Sequence, residues 1–291
     1  MNKIFFILLL LTSITVPAQP IEIIVPFTPG GAVDLIARKF AIHIAEKTFN
    51  PVIINNIPGA NGYIGIRKLQ GSSDRTIIIT NSSFYENIVD HNVSLNKFKF
   101  VSIIGEMPMV LMVTKSSGAT CQSLKNNKTY FVGTVGAGAS SIPVAFLQEK
   151  YKNFVEIPYK GKSQAVVDLV GGHIDLVFTM GFVLQNDNLV ALSTTYDKTL
   201  RGIPTLHECL GINKTIKSQV LVIANDSATA EFINQLNDLS IEFTQTPEVI
   251  DYFEDNGIIK KSSSITNTNV LVQKEANYWN KILKSKKTPH D

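Results

Sequence analysis

Residues 22–38 constrain the fold of this chain more than any other segment. A β-branched run, Ile23, Ile24 and Val25, ends at Pro26, an amphipathic segment begins after Gly31, and Pro29, Gly30 and Gly31 lie between. Proline withdraws a backbone donor, and glycine removes the Cβ that hinders close approach. The stretch therefore reads as strand, glycine turn, helix. Such a turn leaves the first N–H groups of the helix without intrahelical partners and presents them, with the positive end of the helix dipole, to whatever lies in front. An anion is the fitting occupant, although an ordinary βα turn is spelled the same way.

The same grammar recurs along the chain. Helical spacing over 33–47 places Leu35, Ile36, Phe40, Ile44 and Thr48 on one side. Strands are expected at 52–54 and 76–80, separated by a glycine-rich loop over 55–62 and a helix at 63–69, then two further strands at 100–104 and 109–113. After a break at 115–120 the series restarts. It gives a strand at 129–133, a loop at 134–141, a helix to 150, a strand at 155–158, a loop at 159–163, a helix at 164–170, and strands at 175–178 and 190–193. The last third reads as a strand at 219–224 and helices over 228–243, 248–256 and 273–284, the last burying Val272, Ala276, Trp279 and Leu283. Strands alternating with helices predict an α/β protein with parallel sheets, whose ligand sites lie at the carboxyl ends of strands. With 291 residues and a second series starting near 110, two lobes are expected rather than one long sheet.

The amino terminus has a basic start at Lys3, an apolar run over 4–11 and a small-residue end at Ala18. That is the pattern of a secretory signal peptide over 1–18, cleaved near Ala18, with the mature protein exported to a periplasm. The apolar run is well short of the ~20 residues that cross a bilayer. The net charge of +3 includes Lys3 and is too mild and dispersed for a nucleic-acid binder. Cys121 and Cys209 form either a disulfide or two separate buried thiols.

Catalytic and cofactor patterns are weak. Gly136-x-Gly138 after a strand lacks the third glycine of a dinucleotide turn, since Ser141 stands there. Gly161-Lys-Ser163 ends like a P-loop, but the earlier glycine would fall at Glu156. There is no Gly-x-Ser-x-Gly elbow, and the histidines at 43, 91, 173, 207 and 290 show no metal-ligand spacing and read as surface or loop residues. No catalytic residue, cofactor or metal is expected. Asp34, in the first turn of a helix, reads as positioning the loop rather than as a general base.

Val25-Pro-Phe-Thr-Pro-Gly-Gly-Ala-Val-Asp34-Leu-Ile-Ala-Arg38 resembles the opening motif of the Bug family, the TctC-like extracytoplasmic receptors of tripartite tricarboxylate transporters. The resemblance continues through Val52-Ile-Ile-Asn-Asn-Ile-Pro-Gly-Ala-Asn-Gly-Tyr-Ile-Gly65, Ile157-Pro-Tyr-Lys-Gly161, Asp168-Leu-Val-Gly-Gly-His-Ile-Asp175 and Pro204-Thr-Leu, in order and across the mature chain. It implies a type II periplasmic binding protein fold: two Rossmann-like lobes joined by crossing strands, with a ligand cleft between them. One lobe would comprise 19–106 and 225–291, the other 107–224.

By matching position, the resemblance makes Thr28, Pro29, Gly30, Gly31 and Asp34 ligand-binding residues on the first lobe. Gly136 and Gly138, then Tyr159, Lys160 and Gly161, carry over on the second. It further implies a non-catalytic receptor that captures a small carboxylate, acts as a monomer and docks on inner-membrane transporter subunits through both lobes. The chain departs from the family at Ala139 and Ile142, where serine and histidine are usual, and at Phe178-Thr179-Met180, where Phe-Asp-Ser is frequent. Ser140 or Ser141 could supply the missing hydroxyl as an N-cap. These changes leave open a less polar solute, or lost binding. A sensor role beside a membrane histidine kinase is the alternative use of the same fold.

Overall fold

A computed structural model describes residues 19–135, 141–180 and 187–287, with side chains described as far as residue 284. In chain order the elements are β1 (Ile21–Val25), α1 (Ala32–Thr48), β2 (Val52–Asn56), α2 (Tyr63–Gln70), β3 (Thr76–Thr80), α3 (Ser83–Asp90) and β4 (Phe98–Thr114). There follow β5 (Tyr130–Val135), α4 (Ile142–Lys150), β6 (Phe154–Tyr159), α5 (Lys162–Val170), β7 (Leu176–Met180) and β8 (Leu189–Thr194). The chain ends with α6 (Leu206–Leu210), β9 (Lys217–Asn225), α7 (Ala230–Phe243), α8 (Pro247–Asp255), β10 (Ile259–Lys260) and α9 (Ile265–Lys287).

Two α/β lobes share one strand path, β2-β1-β3-β9-β4-β7-β5-β6, with β8 and β10 also on β4. In the first lobe β1 lies parallel between β2 and β3, with Ile23 opposite both Ile54 and Ile77. In the second, β5 lies parallel between β6 and β7, with Gly133 opposite both Ile157 and Val177. Each lobe thus repeats one plan: three parallel strands followed by an antiparallel partner, β9 on β3 in the first and β4 on β7 in the second. The inner strands β1 and β3 are short β-branched runs buried on both faces, as parallel strands between helical layers must be, while the edge strands β2 and β6 keep exposed positions. All five residues of β3, Thr-Ile-Ile-Ile-Thr, are buried.

β4 is the element that differs most from expectation. The sequence reads as two strands, 100–104 and 109–113, with Gly105 and Pro108 between them, yet the chain is one extended strand of 17 residues. Residues 98–108 pair with β9, and residues 109–114 pair with β7 or β8. Proline has no N–H to donate, and Pro108 stands at the changeover, where β4 leaves β9 and takes up its second-lobe partners. The interruption in the pattern marks the crossing between lobes rather than a strand end. β9, counted within 107–224 from the sequence, hydrogen-bonds along its length to β3 and to the 98–108 part of β4, on the first-lobe side.

Three apolar clusters fill the layers. One runs continuously along the same face of both lobes, from Ile24, Phe84, Tyr85 and Trp279 to Phe154 and Phe178. A second lies between the first-lobe sheet and α1, α7 and α8, around Phe40, Phe243 and Phe253. The third packs α5 on the second-lobe sheet through Ala165, Leu169 and Val177.

Helices α3 and α6 were absent from the sequence reading, and α9 begins eight residues before the expected 273. The i, i+4 spacing of Phe84, Tyr85, Ile88 and Val89 carried the signal for α3, but so short a helix directly after a strand reads as a loop. Two burial expectations on α1 are corrected. Leu35 is 41% exposed, because it faces the space between the lobes, and His43 is buried, its ring tilted against Phe243, where burial pulls its pKa down. Cys121 and Cys209 are joined in a disulfide that ties the segment after β4 to α6.

Candidate functional site

The opening loop is built around one carboxylate. Asp34, 1% exposed, accepts hydrogen bonds from the Gly30 N–H (2.8 Å), Arg38 Nε (2.9 Å) and Asn56 Nδ2 (2.8 Å). Asn56 Nδ2 also donates to the Phe27 carbonyl, and Arg38 reaches back to Asn56 Oδ1. Burial pushes the Asp34 pKa up, but the hydrogen bonds from Arg38, Gly30 and Asn56, with the Arg38 charge, hold it below the usual carboxylate value. Asp34 thus braces the turn from inside. Gly30 itself sits at φ +85°, which only glycine adopts without strain, so the turn needs it there.

That bracing has a cost for the expected site. The Gly30 N–H points to Asp34 and is not available to a ligand. Donors for an anion begin instead at the N-terminus of α1, whose N-cap is Gly31 with no side-chain cap. Thr28 and Pro29 are exposed, outside the lining of the cavity described below.

On the second lobe Gly136, Gly138 and Ser140 lie outside the described residues, and Ser141 is the N-cap of α4. Tyr159 donates to Asp168 Oδ2 at 2.7 Å, tying the end of β6 to α5. Burial, together with the hydrogen bond and charge of Asp168, pushes the Tyr159 hydroxyl up to about 12. Lys160 is exposed, and Gly161 is the N-cap of α5, again without a side-chain cap.

A cavity of about 480 Å³ opens where these parts meet. Gly30, Gly31, Ala32 and Leu35 line it from the first lobe, with Tyr252 and Asn256 at the end of α8. Val135 and the Phe178-Thr179-Met180 end of β7 line it from the second, with Lys162 at the start of α5, and Met109 of β4 forms part of the wall. β5 and β7 end at this space, and the segments that follow β1 and β6 reach it, the expected location in parallel sheets. Its volume suits a small molecule.

Lys162, not Lys160, is the cation that lines the cavity. Its surface is reached by solvent through the open cleft, yet the protein crowded around it draws the ammonium pKa below the usual lysine value. Among the described residues no carboxylate pairs with it, whereas Lys39, Lys47, Lys128, Lys214 and Lys217 each have an acidic partner. The sequence carried a signal for it: a lysine directly after the glycine that caps a helix, where the dipole disfavours positive charge. Among the described residues that line the cavity there is no acid, histidine or cysteine.

A larger depression, about 530 Å³, covers Tyr196–Thr199, the start of α6 and residues 212–215 on the second lobe alone. Its Glu208 is engaged, accepting from the Thr205 N–H in a capping box and from Thr199. It faces no part of the first lobe's opening loop.

Comparison with known proteins agrees with this architecture. The sequence model for the tripartite tricarboxylate transporter family receptor matches residues 36–287. Protein BugT of Bordetella pertussis is 27% identical over 289 residues, covering 91% of this chain and 88% of BugT. Among solved structures, a protein of R. palustris solved with adipate superposes with a TM-score of 0.78 at 22% identity, covering 92% of this chain and 97% of that one. MatC from Rhodopseudomonas palustris, with bound malate, gives 0.74 at 19% identity, with 91% and 99% covered. The chain therefore belongs to the tripartite tricarboxylate transporter receptor family, two-lobed solute-binding receptors of the periplasm.

Proposed function

We propose that this receptor captures a small carboxylate in the cavity between its lobes and delivers it to inner-membrane transporter subunits. The observation that carries the reading is that cavity, faced from opposite lobes by two helices with uncapped N-termini, those of α1 and α5. Each contributes unpaired backbone donors and the positive end of a dipole, worth roughly 0.3–1 kcal/mol per charged contact and up to about 2 when partly buried. The Gly31 turn and the Gly161 turn are the proposed ligand loops, with Tyr159 and Asp34 holding them in shape. A ligand gripped from both sides favours the closed arrangement through its higher affinity for that state. The adipate and malate of the two R. palustris relatives are solutes of the proposed class.

The role is binding without turnover, as in the receptor family to which the chain belongs. Residues 1–18 direct export and are removed near Ala18, and the receptor works as a monomer that presents both lobes to the transporter. The test is a thermal-shift screen of mono-, di- and tricarboxylates against the mature chain. A carboxylate that binds only the folded state adds about 2.7 kcal/mol at a hundredfold excess over its dissociation constant, so a raised melting temperature is expected for some member. A flat response across the panel, with neutral solutes shifting the transition instead, would overturn the carboxylate reading.

A further inference from the structure

We propose that Lys162 sets specificity in this receptor, receiving the second carboxylate of an α,ω-dicarboxylate whose middle is unsubstituted hydrocarbon. The inference rests on the carboxylate reading and adds to it the number of charges and the nature of the ligand's body.

Three observations converge on it. First, Lys162 lies on the second-lobe side of the cavity, while the opening loop and the start of α1 form the first-lobe side. An anion held at α1 therefore leaves this ammonium still to be answered. Second, among the described residues no protein carboxylate neutralises Lys162, and its surroundings already depress its pKa. It is also the first residue of α5, a helix with no acid in its first turn, so the charge opposes the dipole without local compensation. A charge placed against local rules with no compensating partner is the mark of a functional position. Third, most side chains of the described wall are apolar, namely Leu35, Met109, Val135, Phe178 and Met180, against the polar Thr179, Tyr252 and Asn256. Hydroxyls or amines along the ligand's middle would lose water there with few partners in return, which disfavours them. Methylene groups would instead be favoured by leaving water.

The ligand is thus charged at both ends and plain between them. Leu35 gains a role from this, since an exposed leucine on the cavity side of α1 becomes contact surface for the hydrocarbon.

The test is titration calorimetry on the mature protein with three probes of matched length: adipate, hexanoate, and adipate carrying a hydroxyl on an inner carbon. Wild type is expected to bind adipate at least tenfold more tightly than either of the others. Lys162→Met, which keeps the stem and removes the charge, is expected to weaken adipate roughly 10- to 100-fold, the size of one charge-assisted contact, and to change hexanoate less than threefold. Lys162→Arg is expected to keep the preference for adipate. Unchanged melting of both variants without ligand checks that the fold is intact.

Equal affinity of wild type for adipate and hexanoate, or a Lys162→Met variant that retains the preference, overturns the proposal while leaving carboxylate capture standing. Tighter binding of the hydroxylated probe overturns the apolar-body part. Failure of every carboxylate, alongside binding of a neutral solute, overturns both readings together.

Discussion

Asp34 illustrates how one buried side chain can set the shape of a whole turn. Its carboxylate is held by the Gly30 N–H, Arg38 and Asn56. Asp34→Ala leaves three donors without their acceptor and is expected to lower stability by about 2–3 kcal/mol, read by urea denaturation at pH 7. The pH dependence has a definite sign. A depressed carboxylate stabilises fully above its unfolded pKa of about 3.9, and that contribution is lost as pH falls through the folded value. The stability gap between wild type and Asp34→Asn should therefore be widest near neutrality and shrink below about pH 4. Gly31 makes a complementary case. It has ordinary extended backbone, and a Cβ there would meet only the Thr28 carbonyl at 3.6 Å. Gly31→Val should fold normally but crowd the α1 amides, weakening a carboxylate found in the thermal-shift screen by about tenfold or more.

At this scale the sequence was partly legible. The opening loop, Gly31 as the start of the helix and Asp34 as a brace all followed from glycine chemistry and dipole preference. Three points did not follow. A hydrogen bond from Gly30 to a residue four positions away removes a donor, and nothing in the local pattern reports it. The choice of Lys162 over Lys160 depends on where a strand ends and a helix begins, the least reliable boundary in any sequence reading. Tyr252 and Asn256 reach the cavity from a helix far along the chain, and only tertiary packing brings them there.

Among the elements, β4 shows why a residue pattern can be right while its interpretation fails. Gly105 and Pro108 do interrupt a strand pattern. Gly105 is held there by contact as well, since a Cβ would come within 2.9 Å of Ile258. The inner parallel strands β1 and β3 were legible because burial on both faces forces continuous β-branched runs. The polar first half of α9 was not, since its Thr-Asn-Thr-Asn residues have weak helix preference and are carried by the packed half that follows. The disulfide is the element-scale staple of the second lobe. It links Cys121 and Cys209 across a sequence separation of 88, so reduction should cost about 2–5 kcal/mol. Hydrogen exchange under reducing conditions should locate the loss in β5 to α6, with β1 to β3 keeping their protection.

For the molecule as a whole, the crossing between lobes holds a buried charge cluster. Glu106, 4% exposed, lies two residues before Pro108 and pairs with Lys217 at 2.8 Å and Lys261 at 3.5 Å, while the Tyr196 hydroxyl donates to it at 3.1 Å. Its partners come from β9, from the segment after β10 and from the second lobe. Breaking a buried pair from one side typically costs about 3–5 kcal/mol. The two lysines here retain part of their solvent, so Glu106→Gln should lose less, about 2 kcal/mol. Small-angle scattering of this variant without ligand should show a broader spread of lobe separations than wild type. A distribution identical to wild type would show that the cluster stiffens the fold without setting the opening angle.

The position of β9 in the sheet has a further consequence for biogenesis. This strand fills the slot between β3 and the beginning of β4, yet it is synthesised only after the entire second lobe. Until it emerges, two central strands carry bare edges, and the amino-terminal half cannot seal. A chain threading through a secretion channel would stay pliable for most of its passage, with folding gated by its final quarter. A fragment stopping at residue 216 should remain protease-sensitive and bind a hydrophobic dye, and adding the remaining segment as a peptide should restore compactness.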